Sequence, residues 1–138
     1  MSDFQISHLD HVAIRVVDLE RSADWYSQVL GLERCDIPEW GEYPIFLLSG
    51  HTGIALFPAP EGEDRNRGRK TIKIDHFAFN VSNEDFNKAR DHYDHLGLSY
   101  RFSDHIHFHS IYTEDPDGHT VELTTLISPK EEFYSRTV

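Results

Sequence analysis

The residues of this chain best equipped for chemistry come in a repeated setting. His11 stands in Leu9-Asp10-His11-Val12-Ala13, and His76 stands in Ile74-Asp75-His76-Phe77-Ala78. Late in the second copy, Glu122 lies between Val121 and Leu123, so a strand there turns its carboxylate away from the core-packed face. The four positions that the repeat makes equivalent are His11, His76, Ala55 and Glu122: three metal-binding side chains and one methyl group. An ionised carboxylate on a mostly apolar strand is costly without a partner, and a divalent cation is the natural one. Two neutral imidazoles and one carboxylate leave coordination positions open to a chelating molecule. Such a donor set suits Fe(II) first, and Mn(II), Ni(II) or Zn(II) as alternatives. The expectation is one divalent ion held by His11, His76 and Glu122.

The elements that must position these groups follow from the same repeat. LDHVAIRVVD at residues 9–18 corresponds to IDHFAFNVSN at residues 74–83, and each copy runs on to Leu-Gly-Leu, at residues 30–32 and 96–98. The offsets between copies are 65 residues for the histidines, 66 for Gly31 and Gly97, and 67 for Ala55 and Glu122. Small insertions produce such a drift. Val12, Ile14 and Val16 alternate with His11, Ala13 and Arg15, and Phe77, Phe79 and Val81 alternate with His76, Ala78 and Asn80. Period two predicts strands with an apolar face and a polar face. A helix is predicted from an Asp18 cap to Gly31, and a second from Ser82 or Asn83 to Gly97. Further strands are predicted at 33–37, 43–49, 52–57, 98–103, 105–113 and 119–126. Asp115-Pro116-Asp117-Gly118 is a strong turn signal before the last of them.

Composition narrows the class of protein. At 138 residues the chain has room for one domain with a real core, and no apolar run nears the roughly 20 residues of a spanning helix. Its start lacks a signal-peptide layout, and the lone Cys35 cannot form an internal disulfide, so the expected location is the cytoplasm. A net charge of −11 argues against nucleic acid or an anionic membrane as partner and leaves a small molecule. The basic cluster Arg65, Arg67, Arg69 and Lys70 reads as part of a solvated connector. A two-fold homodimer is expected on general oligomer grounds.

LDHVAIRV, SADWYSQVLGL, IDHFAFNV and SIYTEDPDGHTVELTT together resemble the vicinal oxygen chelate superfamily, across residues 6 to 127. That superfamily includes glyoxalase I, extradiol dioxygenases, fosfomycin-resistance proteins and bleomycin-binding proteins. The resemblance implies an α+β fold: two βαβββ modules related by internal two-fold symmetry, forming a cupped, barrel-like mixed sheet with helices outside. It implies one domain over 1–138, with module one at 6–58, a connector at 59–71, module two at 72–127 and a tail at 128–138. Ala55 removes one closing-strand ligand and weighs against the glyoxalase I and epimerase chemistries. The stretch from His105 through Tyr112 to Glu122 resembles the extradiol dioxygenase signature. By that resemblance Tyr112 hydrogen-bonds a metal-bound substrate oxygen, His105 is an acid or base, and an Fe(II) dioxygenase acting on a vicinal diol is the first reading. The fosfomycin-resistance branch shares Ser110, Tyr112 and Glu122, but this chain has Ala13 where that branch has threonine and Phe102 where it has lysine. A lyase, isomerase or epoxide-opening transferase using another divalent ion is the alternative, and a non-catalytic resistance-type binding protein is the third.

Nearby residues admit more than one role. On a regular strand His105, His107 and His109 share one face while Ser110 and Tyr112 share the other, so a bulge is needed to bring His105 and Tyr112 together. Ser110 is either a substrate contact or a hydroxyl bonded within the sheet. Arg15, on the His11 face, either meets a substrate anion or pairs with a carboxylate. Trp25 and Tyr26 read as helix packing, and Trp40, Tyr43 and Phe46 as candidates for an aromatic pocket wall.

Overall fold

A computed structural model describes residues 2–60 and 73–135. The basic cluster at residues 65–70 and most of the expected connector lie outside the described residues. The chain divides into two compact units, residues 1–72 and 73–138. In the first, β1 (His11–Val16), α1 (Leu19–Leu30), β2 (Glu33–Cys35), β3 (Ile45–Ser49) and β4 (Thr52–Pro58) follow in order. In the second come β5 (Phe77–Asn80), α2 (Asn83–His95), β6 (Arg101–Asp104), β7 (Phe108–Glu114) and β8 (Thr120–Leu126), with α3 (Lys130–Tyr134) after them.

The repeat is visible strand by strand. The sheets run β1-β4-β3-β2 and β5-β8-β7-β6. The first strand pairs parallel with the last in each, and the other neighbours are antiparallel. Each is an open four-stranded mixed sheet, the α+β βαβββ module that the alternation predicted. Caps repeat as well: Asp18 accepts from the Arg21 amide and Ser82 from the Asp85 amide. Gly31 and Gly97 take positive φ at the helix ends, where a Cβ would be strained.

The apolar strand faces are the helix-packed ones. Ile14 and Val16 are buried with Ala23, Tyr26 and Val29 of α1, while His11, Ala13 and Arg15 stay exposed. In the second unit Phe86 and Tyr93 of α2 are buried along with Ile111, Val121 and Leu123. The site residues therefore stand on the opposite face. Among the described residues no helix is long and apolar enough to cross a membrane.

Some boundaries differ from expectation. The strand predicted at 98–103 begins only at Arg101, and the one predicted at 105–113 begins at Phe108. Ile106 has φ of 73°, a left-handed conformation that no extended strand can include.

Candidate metal centre

Glu122 lies mid-strand on β8, in register with Ala78 of β5 and Tyr112 of β7, and Tyr112 pairs in turn with Arg101 of β6. His76 immediately precedes β5. Its Nε2 lies 3.0 Å from Glu122 Oε1, and its Nδ1 lies 2.7 Å from Asp75 Oδ2. The second Glu122 oxygen accepts a 2.8 Å hydrogen bond from Ser110 Oγ, which also contacts Thr124 Oγ1 at 2.9 Å. Ser110 is fully buried and Glu122 is 7% exposed, so this carboxylate is fixed at both oxygens. His105, Phe108, Ser110, Glu122 and Thr124 line a cavity of about 230 Å³.

The chemistry of these donors tests whether a metal fits. With its Nδ1 hydrogen directed to Asp75, a neutral His76 turns a bare Nε2 lone pair toward a carboxylate oxygen 3.0 Å away. Two electron-pair donors at that distance need positive charge between them, either a second ring proton or a cation. A carboxylate behind the far nitrogen is also how ligating histidines are commonly oriented. The pair fits a divalent ion. Among the described residues, no three or more His, Cys, Asp or Glu side chains form a group arranged to hold a metal ion. His76 and Glu122 supply two donors on their own.

The first unit repeats half of this arrangement. His11 Nδ1 lies 2.7 Å from Asp10 Oδ2, the same pairing at the same place in the repeat. Hydrogen bonding to His11 holds the Asp10 carboxyl below its ordinary range. Ala13, Ala55 and Phe46 are in register, as Ala78, Glu122 and Tyr112 are in the other sheet. Ala55 thus occupies the rung of Glu122, buried, and Phe46 that of Tyr112. Phe46 meets the His11 ring edge-on at 5.1 Å, and Trp40 stands 5.6 Å from Phe46, giving His11 an aromatic flank. Tyr43 packs instead near Phe57, at 6.3 Å. Arg15 donates to the Pro58 carbonyl and lies over the Phe57 ring. The Asp before each histidine belongs to the repeated motif. Its orienting role was not read from the sequence, although the duplication of Asp-His was the available signal.

The three late histidines separate. His105 Nε2 lies 3.0 Å from the Tyr112 hydroxyl, a contact that strand parity alone forbids and the Ile106 reversal permits. His109 packs against Phe86 and Phe102 on the helix side. His107 Nδ1 is 2.6 Å from Ser128 Oγ, and its ring contacts Phe133 of α3. Burial, and then the Glu122 carboxylate, push the Tyr112 phenol above its ordinary range, so it holds its proton at neutral pH. The Arg101 guanidinium lies 4.5 Å from the centre of the Tyr112 ring.

A family model described as the Glyoxalase/Bleomycin resistance protein/Dioxygenase superfamily matches residues 8–123. The chain belongs to this superfamily. Within it, the chain is 31% identical over 137 residues to the metallothiol transferase FosB of Staphylococcus epidermidis, covering 94% of this chain and 90% of that one. It is 25% identical over 122 residues to the glutathione transferase FosA of Serratia marcescens, covering 86% and 80%. The crystal structure of the fosfomycin resistance protein FosX from Mesorhizobium loti superposes with a TM-score of 0.65 at 26% identity, covering 94% of this chain and 99% of that one. Two of these relatives are named as transferases, and none of the three is named as an oxidoreductase. The specific activity is therefore a matter for proposal.

Proposed function

We propose that this chain is a divalent-metal-dependent transferase that adds a small thiol to an electrophile able to chelate through oxygen. The observation that carries it is the Glu122 carboxylate, fixed by Ser110 and facing a His76 nitrogen whose partner nitrogen is tied to Asp75. His76, Glu122 and the repeat-equivalent His11 would hold the ion, drawn from Fe(II), Mn(II), Ni(II) or Zn(II). When bound, the ion supplies the Lewis acidity that polarises a substrate oxygen.

The chain's own groups do the rest. Asp10 and Asp75 set the imidazole tautomer. Ser110, fully buried and bonded to Glu122 and Thr124, keeps Glu122 from rotating rather than meeting substrate. Tyr112 keeps a proton on its hydroxyl and delivers it to the oxygen leaving carbon, with His105 3.0 Å behind it to restore that proton. In the reaction a C–S bond forms, a C–O bond breaks, and the thiol proton ends on the released oxygen. Arg15, on the His11 face, would meet an anionic substrate group by exchanging its hydrogen bond to the Pro58 carbonyl, and a second copy of the chain is the expected partner.

The FosB and FosA relatives support the transferase reading. The His105–Tyr112 contact supports a second one, the Fe(II) dioxygenase acting on a vicinal diol, in which the same pair attends a metal-bound diol oxygen. One experiment separates them. Metal-stripped protein is reloaded with each ion and given thiols with a panel of epoxides, including fosfomycin, and separately catechols in an oxygen electrode. Metal-dependent thiol consumption, lost in Glu122→Gln, is expected. Oxygen uptake with catechols and no thiol consumption would establish the second reading, and no turnover with either would sink both.

A further inference from the structure

Phe108 is the one hydrocarbon ring among the residues lining the cavity beside Glu122; the other four carry polar groups. Alternation along β7 sets it on the strand face of Ser110 and Tyr112. Its ring is backed by the C-terminal helix. Phe133 of α3 meets Phe108 edge-on, with ring centres 4.8 Å apart and planes at 90°. The Phe133 ring also contacts His107 at 5.6 Å and Tyr134 at 5.0 Å. The chain reaches this position by a short, tied path. Just past β8, the Ile127 amide donates to the His107 carbonyl at 2.8 Å, and Ser128 Oγ lies 2.6 Å from His107 Nδ1. The Glu132 and Phe133 amides then donate to the Pro129 carbonyl, closing the first turn of α3. Phe133 is half-buried, while Glu131, Glu132, Tyr134 and Ser135 around it are exposed. One aromatic ring is what α3 contributes to packing, and it is spent on the residue that forms the cavity's apolar wall.

We infer that Phe133 is a positioning residue for substrate size: by holding Phe108 against the cavity, it restricts an oxygen-chelating substrate to a small substituent beside its chelating atoms. The cavity, at about 230 Å³, is smaller than the roughly 300–1,000 Å³ pockets that enclose drug-sized ligands. Edge-on pairing orients a ring as well as holding it. With Phe133 truncated, the Phe108 ring would turn into the vacated space and the cavity would deepen on that side. The inference rests on His76 and Glu122 being the place where a substrate oxygen is held, and it adds which substrates fit there.

The test uses full-length, zinc-loaded protein and two oxygen chelators that differ in bulk, acetohydroxamate and benzohydroxamate, titrated by calorimetry. Phe133→Ala should shift their affinity ratio about tenfold toward benzohydroxamate, while the affinity for zinc alone stays unchanged. Phe133→Leu, which keeps most of the bulk, should retain most of the wild-type ratio. Phe108→Ala should shift the ratio as Phe133→Ala does, and adding the second substitution to the first should change it no further. Ser128→Ala loosens the tie to His107 with both rings intact and should shift the ratio in the same direction, so the test stands even if Phe133→Ala fails to fold. Thiol transfer to propylene oxide and styrene oxide is measured alongside, and its kcat/KM ratio should move with the hydroxamate ratio. A moved hydroxamate ratio without thiol transfer keeps the inference and removes the transferase reading. Thiol transfer with an unmoved ratio does the reverse. An unmoved ratio in Phe133→Ala and Ser128→Ala, or a further shift in the double variant, overturns the inference.

Discussion

The paired Asp-His motifs allow a test with a built-in control. Asp10 and Asp75 each place an oxygen 2.7 Å from Nδ1 of the next histidine, with side chains 74% and 95% exposed. If both histidines ligate through Nε2, replacing either Asp by Asn removes the negative charge that orients the ring and raises its basicity. Loss of such an orienting group commonly weakens metal binding 10- to 100-fold, and the exposure of these carboxylates places the expected loss at about tenfold. Both histidines would hold the same ion, so the two losses are coupled and the double variant should fall about tenfold to a hundredfold. Competition against a chromophoric chelator near neutral pH measures this, with urea midpoints confirming that each variant is folded. A tenfold loss for Asp75→Asn with none for Asp10→Asn would remove His11 from the ligand set. No loss in either would mean that the pairing serves no metal, and the reasoning from donor chemistry would fail.

Other perturbations follow from the same geometry. Ser110→Ala deletes the hydrogen bond to Glu122 Oε2, and should weaken metal binding about tenfold in the same competition assay. Tyr93 is 1% exposed and its buried hydroxyl has no partner among the described residues, so Tyr93→Phe should stabilise the fold by about 1 kcal/mol in urea. Burial raises the Tyr93 phenol above its ordinary value of 10.0. Its contribution is therefore intact below that value and is lost as pH climbs past it, because the unfolded chain ionises first. Tyr93→Phe should accordingly show a shallower alkaline decline in urea midpoint. A Cβ at Gly53 would press on the Leu47 carbonyl oxygen, so Gly53→Ala should cost about 3 kcal/mol, read as a lower thermal midpoint.

Much of this was legible from residue order because the molecule states its plan twice. The Asp-His strands, the two capped helices and the Leu-Gly-Leu ends identify each module, and the rung shared by Ala78 and Glu122 reappears as Ala13 and Ala55. What escaped was local. Strand parity set His105 and Tyr112 on opposite faces, and one isoleucine at φ 73° reverses that relation. Isoleucine is among the residues least suited to such a conformation, so nothing in its identity announces the turn. Arg101 belongs to no repeated or patterned motif that would mark it in the sequence. Only the β6–β7 register shows that Arg101 shares the rung of Tyr112.

Ile106 leaves the molecule with opposed demands at a single position. Its side chain is 79% exposed, so burial does not reward it, and its backbone geometry costs about 1–2 kcal/mol relative to a relaxed residue. Glycine there would recover most of that, yet it would also free the turn that carries His105 to the Tyr112 hydroxyl. A more durable protein with a looser His105–Tyr112 contact is the foreseeable outcome, so selection for thermal endurance alone would erode the contact on which the proposed proton transfer depends.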